Sequence, residues 1–133
     1  MNGKRWKRSV TTVYNIGYHL IWCPKYWRKV LVGEVAERLK ELLLQKAREI
    51  GVEIAQMEVM PDHVHLFVKT DPRNSPHFIV QQLKGYTSRI LRKEFPFLKS
   101  CLPSLWTRSY YCESVGHISE ETIRKYIEDQ KGK

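Results

Sequence analysis

The sequence has little cysteine and no long apolar stretch. Its three cysteines, Cys23, Cys101 and Cys112, are odd in number and far apart, which argues against a disulfide framework and a Cys-x-x-Cys zinc site. Reduced thiols of this kind are typical of cytoplasmic proteins. No run approaches the roughly 20 apolar residues of a membrane span, and the residues after the basic N-terminus are too polar for a signal peptide. We therefore expect a cytoplasmic protein outside the membrane.

Acidic residues are also few relative to basic ones. The chain has 14 Asp and Glu against 23 Lys and Arg, a formal net charge of +9, which predicts an anionic partner, with nucleic acid as the first candidate. A membrane surface is the alternative, but the basic residues are spread along the chain and no lipidation signal is present. A length of 133 residues fits one domain spanning the whole chain. Residues 1–9 form a basic arm that we expect to be solvated.

The hydrophobic periodicity predicts an α+β fold. Residues 11–23, 52–60, 63–68 and 108–115 favour strands, whereas residues 33–50, the stretch that follows Ser75, and residues 119–130 favour helices. Ser75 and Ser119 are the expected N-caps, and residues 95–103, with two prolines, are expected to be irregular. The order strand, helix, strand, strand, helix, strand, helix predicts a ferredoxin-like (RRM-like) sandwich, an antiparallel sheet with two helices on one face, plus a C-terminal helix.

Two histidines in one strand are the main candidates for a functional site. Side chains alternate along a strand, so His63, His65 and Phe67 share one face, and the apolar residues between them share the other. Two imidazoles on one face can bind a single divalent ion. The alternative is a pair of ordinary polar residues on a half-exposed strand, and the pattern alone does not decide between them. In the strand before the first helix, the more polar face carries His19 and is expected to lie on the same open side.

Basic residues at three places are candidates for DNA contact. The loop after Pro24 combines basic and aromatic side chains. Basic side chains suit contact with phosphates, and aromatic rings suit stacking on nucleobases. The helix after Ser75 is expected to have a basic exposed side. Both could equally be ordinary solvated surfaces. The predicted DNA-binding residues are Lys25, Arg28, Lys29, Lys84, Arg89, Arg92, Lys93 and Arg108.

The last helix carries the second half of the candidate site. Tyr126 and Gln130 are four residues apart, so they lie on the same side of a helix. They could supply a nucleophile and a third metal ligand. Two imidazoles and an amide oxygen would suit Mg²⁺ or Mn²⁺ as well as tighter-binding transition ions. The alternatives are a surface tyrosine and an exposed helix-end residue, with Glu128 and Asp129 as other oxygen donors on different sides of the helix.

These segments closely resemble the single-tyrosine HUH transposases, the small TnpA type of minimal bacterial and archaeal insertion sequences. The resemblance covers nearly the whole chain in order, and the His-hydrophobe-His pair joined to Tyr-x-x-x-Gln is its most specific part. The matching segments are residues 18–26 (YHLIWCPKY), 60–66 (MPDHVHL), 83–85 (LKG), 89–92 (RILR), 105–110 (LWTRSY), 115–119 (VGHIS) and 126–130 (YIEDQ).

The resemblance implies a complete reaction. His63, His65 and Gln130 would hold a divalent metal, Mg²⁺ or Mn²⁺, at the scissile phosphate of single-stranded DNA. Tyr126 would attack that phosphate and form a 5′-phosphotyrosine link, which a 3′-hydroxyl would later reverse. Enzymes of this family recognise hairpins at the element ends and need no nucleotide cofactor. They act as homodimers in which the tyrosine helix of one subunit completes the active site of the other.

Three other functions remain open from the sequence. A non-catalytic module that binds nucleic-acid hairpins would use the charge and aromatics without a meeting of His63, His65 and Tyr126. A replication-initiator or relaxase nickase would share the histidines and the tyrosine but is normally longer. A metal-dependent phosphoesterase that uses water would not need Tyr126.

Overall fold

A four-stranded antiparallel sheet forms the centre of the molecule. The structure, a computed structural model, describes residues 7–8, 13–115 and 120–131. The elements are β1 (Lys7–Arg8), β2 (Val13–Tyr14), β3 (Ile16–Trp22), α1 (Gly33–Glu49), β4 (Glu53–Met60), β5 (His63–Thr70), α2 (Pro76–Glu94), α3 (Phe97–Cys101), β6 (Tyr111–Val115) and α4 (Glu120–Lys131). The sheet order is β4-β5-β3-β6, so β3 and β5 are the central strands. This order confirms the predicted ferredoxin-like sandwich.

The core lies on one face of this sheet, against α1 and α2. On β5 buried and half-buried residues alternate, and Val64, Leu66 and Val68 are fully buried. Leu66 pairs with Leu20 of β3 across the ladder, and both belong to the same apolar cluster as the inner stripes of the two helices. The opposite face of β5 is therefore free to carry polar side chains, because burial of the apolar face already fixes the strand.

Helix α2 begins where the sequence predicts. The Ser75 hydroxyl accepts a hydrogen bond from the backbone N–H of Phe78 at 3.1 Å, and Pro76 occupies the first helical position. The helical period of the sequence predicts a buried stripe on α2 made of Phe78, Ile79, Leu83, Tyr86, Ile90 and Leu91. The buried residues of α2 also include Val80 and Thr87, which the period does not predict. The prediction that Phe78 is buried is wrong, because its side chain is 40% exposed.

Two segments differ from the sequence prediction. The stretch expected to be irregular contains α3, a short helix that directly follows Pro96. Part of the expected solvated arm, Lys7–Arg8, pairs with Val13–Tyr14 as a two-stranded ribbon. The Ser119 cap lies outside the described residues. Among the described helices, none is both long and apolar enough to cross a bilayer.

Lys84 and Arg92 of α2 bind the chain that follows α3. The Lys84 ammonium donates to the backbone oxygens of Thr107 at 2.6 Å and Ser109 at 3.2 Å, and Arg92 Nη2 donates to the oxygen of Leu102 at 3.1 Å. Burial lowers the pKa of Lys84. The prediction that these two side chains lie on an exposed basic face is therefore wrong: they hold the segment between α3 and β6 against the helix.

Candidate active site

The open face of the sheet carries the candidate site on its two central strands. His63, His65 and Phe67 are half-buried on this face of β5, as predicted. His19 of β3 pairs across the ladder with Phe67, and Ile21 pairs with His65. This register puts the His19 and His65 side chains on the same face in diagonal positions, within reach of each other.

Asp62 orients the first histidine. Its carboxylate Oδ1 lies 2.9 Å from Nδ1 of His63, and this hydrogen bond is the main cause that lowers the pKa of Asp62. A carboxylate accepts, so the bond places a proton on Nδ1 of His63 and leaves Nε2 as the ring nitrogen with a free lone pair. This carboxylate–imidazole arrangement is the one that metal-binding histidines typically have.

His19 orients the second histidine. Its Nδ1 lies 3.1 Å from Nε2 of His65, and the two ring centroids are 5.2 Å apart. One of these two nitrogens must carry the proton, because a hydrogen bond needs a donor and an acceptor. Because Nε2 of His65 is used in this contact, Nδ1 is the ring nitrogen of His65 that remains for a metal ion. His19 thus lies on the open side, as the polarity of its strand face predicts.

A glycine makes room for this arrangement. The ring of Phe67 packs on His19 with centroids 5.0 Å apart. A Cβ at position 17 would lie 2.9 Å from Phe67 Cε1, closer than real Cβ contacts. Gly17 therefore lets the Phe67 ring lie against β3, where it supports His19 and, through His19, His65. The glycine is used here for close approach and not for an unusual backbone conformation.

The donor chemistry of the histidine pair fits a divalent ion. Neutral imidazole nitrogens are common ligands for such ions, and two are offered from one strand face with a fixed tautomer at His63. Within residues 7–8, 13–115 and 120–131, no three His, Cys, Asp or Glu side chains form a group that could hold a metal ion. A complete site therefore needs another kind of ligand or a residue outside that part of the chain.

The helix predicted to complete the site is present as α4, Glu120–Lys131. It contains positions 126 and 130, but the side chains of Tyr126 and Gln130 lie outside the described set. Their meeting with His63 and His65 stays a prediction.

The predicted DNA-binding residues fall into two groups. Lys84 and Arg92 are engaged with backbone oxygens, as described above, whereas the others keep their charge at or near the surface. Arg89 lies over the Tyr86 ring, 5.8 Å from its centroid. The loop is joined to the residues before the histidine strand, because the backbone N–H of Leu31 donates to the oxygen of Pro61 at 3.1 Å. The outward group is Lys25, Arg28, Lys29, Arg89, Lys93 and Arg108.

A basic groove runs from the loop to α2. It has a volume of about 420 Å³ and is lined by three cationic residues, Lys25, Lys84 and Arg108. The other lining residues are Gly85, Ser88, Pro103, Ser104, Trp106 and Thr107. Cys23 lies nearby: burial and then the charge of Asp62 raise the pKa of its thiol, whereas Lys84 lowers it. Cys23 therefore lies between Lys84 of the groove and Asp62, which precedes β5.

Sequence reasoning missed the roles of two site residues. From the sequence, Pro61 and Asp62 predict only a turn before the histidine strand, although the place of Asp62 directly before His63 is a signal for a carboxylate–imidazole pair. Gly17 was assigned to a strand face without a role, since its function depends on where Phe67 of another strand lies. His19 was placed on the open side, but its contact with His65 depends on a register that the sequence does not give.

The sequence is similar to known transposases over most of its length. A family model described as "Transposase IS200 like" matches residues 12–130. The chain is 45% identical over 129 residues to the ISDra2 transposase TnpA of Deinococcus radiodurans, covering 96% of this chain and 92% of that protein. It is 31% identical over 126 residues to the transposase for insertion sequence element IS200 of Salmonella typhimurium, covering 93% and 82%.

Solved structures give the same result. A crystal structure of a protein assigned as a transposase, from Deinococcus radiodurans R1, matches with a TM-score of 0.77 and 40% identity, covering 93% of this chain and 97% of that one. A REP-associated tyrosine transposase bound to a REP hairpin matches with a TM-score of 0.59 at 12% identity, covering 91% and 67%, which shows the shared fold. Because the family model spans most of the chain and the relatives are similar over nearly their full length, this protein belongs to the IS200-like family of transposases.

Proposed function

We propose that this transposase cleaves and rejoins single-stranded DNA at the ends of an insertion sequence through a covalent tyrosine intermediate. The observation that carries the proposal is the pair His63 and His65 on the open face of a central strand, with Asp62 fixing the tautomer of His63. A DNA transposase must break and remake phosphodiester bonds, and this face offers a place to bind a phosphate beside two imidazoles. The excess of positive charge supports an anionic substrate.

Tyr126 is the proposed nucleophile. Its oxygen would attack the scissile phosphorus, and the bond from phosphorus to the 3′ oxygen would break. The phenolic proton would leave to solvent, and the departing 3′ oxygen would take up a proton from solvent. The products are a 5′-phosphotyrosine link and a free 3′-hydroxyl. One phosphodiester replaces another, so the joining step needs no ATP. A free tyrosine with a pKa of roughly 10 is a weak nucleophile at neutral pH and needs activation.

The proposed metal ligands are His63, His65 and Gln130, holding Mg²⁺ or Mn²⁺. When bound, such an ion supplies Lewis-acid polarisation of the scissile phosphate and stabilises the developing charge. Asp62 and His19 orient the two imidazoles toward that role. The active form is proposed to be a homodimer in which α4 of one subunit completes the site of the other, and its substrate carries hairpins like the one bound by the REP-associated relative.

Tyr126→Phe tests the nucleophile. The variant removes the attacking oxygen and little else, so we expect it to abolish a protein–DNA adduct that the wild type forms. The wild type and the variant are incubated with Mn²⁺ and a labelled hairpin with single-stranded flanks taken from beside its own gene, then separated on a denaturing gel. Tyr111→Phe is the matched control, because Tyr111 is an exposed tyrosine whose hydroxyl donates to Glu113 of its own strand.

The other outcomes distinguish the rival functions. Cleavage that survives in Tyr126→Phe would support hydrolysis by water. Binding of the hairpin by the wild type without any cleavage would support a non-catalytic hairpin-binding module. Either outcome overturns the proposed mechanism.

His19→Ala tests whether His19 positions His65. Loss of a hydrogen-bond partner of a metal-binding histidine typically costs 10–100-fold in metal affinity, so we expect Mn²⁺ to bind at least about tenfold more weakly. Binding is measured by electron paramagnetic resonance of free Mn²⁺, without DNA. His77→Ala is the control, since His77 also makes one side-chain hydrogen bond, to Tyr110 at 3.1 Å, but lies on α2. Equal Mn²⁺ affinity in both variants would contradict this role for His19.

A further inference from the structure

The loop after β3 contains two exposed aromatic residues in an unusual backbone conformation. Tyr26 and Trp27 have φ values of 60° and 52°, in the left-handed region, which side chains other than glycine seldom adopt. This conformation costs free energy, because it brings the Cβ close to a backbone carbonyl oxygen. Their side chains are 60% and 69% exposed, so burial of the rings does not offset this cost. Strain of this kind persists where the surrounding structure imposes it, and it is commonly found at binding sites.

Backbone hydrogen bonds hold the loop on both sides. On one side the N–H of Lys25 donates to Leu105 at 2.8 Å, and that of Thr107 donates to Cys23 at 3.0 Å. On the other side the N–H of Leu31 donates to the oxygen of Pro61 at 3.1 Å. Pro61 directly precedes Asp62 and His63. The loop is therefore a fixed structure tied to the beginning of the histidine strand.

The charges around the rings indicate which ligand they suit. Lys25, Arg28 and Lys29 flank Tyr26 and Trp27, and Lys25 Nζ lies 5.6 Å from the Tyr26 ring centroid. An aromatic ring offers a flat apolar surface, and the neighbouring cations attract phosphates. A single-stranded nucleic acid presents both partners at once, since each unpaired base has a flat face and each linkage has a charge.

We propose that Tyr26 and Trp27 form a stacking platform that holds an unpaired nucleobase of the single-stranded DNA next to the scissile phosphate. The inference rests on the proposed function, because it assigns a subsite to the same substrate. Lys29 and Arg28 bind the adjoining phosphates, and the rings bind the base through its face. Stacking reads no hydrogen-bond pattern, so the platform selects unpaired over paired DNA and tolerates any base. The rigid loop fixes the distance between the stacked base and His63.

Trp27→Ala with single abasic substitutions in the DNA is the test. Removal of an aromatic that stacks on a base weakens binding by about 5- to 150-fold, so we expect at least about a fivefold loss of affinity for a labelled oligonucleotide with the cleavage sequence, measured by fluorescence anisotropy. An abasic site scanned along that oligonucleotide should reveal one position at which Trp27→Ala no longer weakens binding. Phe97→Ala, which truncates an exposed aromatic of α3, is the control.

Two further variants keep the result interpretable. Trp27→Phe retains a ring and should keep most of the affinity, whereas Lys29→Ala should weaken binding equally at every abasic position and in a salt-dependent way. In a Trp6→Phe background the remaining tryptophans besides Trp27 are Trp22 and Trp106, which are buried, so quenching of tryptophan fluorescence by DNA should fall sharply when Trp27→Phe is added. Circular dichroism checks that each variant is folded.

Failure of the platform is distinguishable from failure of the proposed function. If the wild type forms its covalent adduct and Trp27→Ala binds DNA as tightly as the wild type, only the platform is overturned. The same holds if Trp27→Ala weakens binding equally at every abasic position, or if it changes the mass of the protein in solution and leaves DNA affinity intact, since the loop would then be a protein contact. Absence of single-stranded DNA binding by the wild type would overturn both.

Discussion

His65→Ala is expected to lower the rate of DNA cleavage by at least about a hundredfold while leaving the protein folded. The proposed metal contributes several kcal/mol to the transition state, and each roughly 1.4 kcal/mol changes a rate tenfold. Loss of one imidazole also leaves His19 without its hydrogen-bond partner. Because His65 lies half-buried on the open face, we expect the free energy of unfolding to fall by no more than about 1 kcal/mol.

Three measurements check this expectation together. Single-turnover cleavage of the labelled hairpin gives the rate, Mn²⁺ titration gives the metal affinity, and urea denaturation gives the stability. His77→Ala serves as the control for the loss of a histidine elsewhere. A His65→Ala protein that cleaves at the wild-type rate would remove the histidine pair from the mechanism, whatever its stability.

Leu66→Ala is expected to lower the stability of the protein and to leave metal binding almost unchanged, although Leu66 is the residue next to His65 on β5. Its side chain is fully buried and pairs with Leu20 at the centre of the sheet. Truncation of a buried leucine to alanine removes apolar contacts and leaves a cavity, which costs about 2–5 kcal/mol. We expect a loss in this range in urea denaturation, and an Mn²⁺ affinity within about twofold of the wild type at low temperature, where the variant remains folded.

The control for Leu66→Ala is Met60→Ala. Met60 lies at the end of β4 and is 41% exposed. Its truncation removes as many heavy atoms as that of Leu66, but from a position in contact with solvent. We expect this control to lose less than about 1 kcal/mol. A similar loss for both variants would mean that β5 is not the centre of the core.

Most of the secondary structure and the histidine face of β5 can be predicted from the sequence, because local patterns determine them. The period of two along residues 63–68 predicts both the buried apolar set and the histidine face. Ser75 and Pro76 predict the beginning of α2 through capping chemistry that involves only neighbours. The family resemblance rests most on the His-hydrophobe-His pair and the Tyr-x-x-x-Gln motif. The comparisons confirm the family.

The errors occur where distant segments meet. The sequence places Lys84 and Arg92 on an exposed face, because the helical period does not reveal that the segment between α3 and β6 offers them its backbone oxygens. These oxygens lie 23 and 25 residues after Lys84 and 10 residues after Arg92. The contact between His19 and His65 needs the register of β3 against β5, and the space at Gly17 needs the position of Phe67. The meeting of Tyr126 with the histidine pair depends on where α4 lies, or on a second subunit, and stays a prediction.

The division of β5 into two faces has a consequence for copies of the transposase gene that acquire inactivating mutations. Under the proposed mechanism a substitution at His65 would abolish the chemistry, yet the protein would still fold and keep the strained aromatic loop and its cations. We expect such a silent protein to occupy the DNA ends that active copies need, and so to inhibit them in trans. A substitution at Leu66 would instead lower the fraction of folded protein and leave more of those ends accessible.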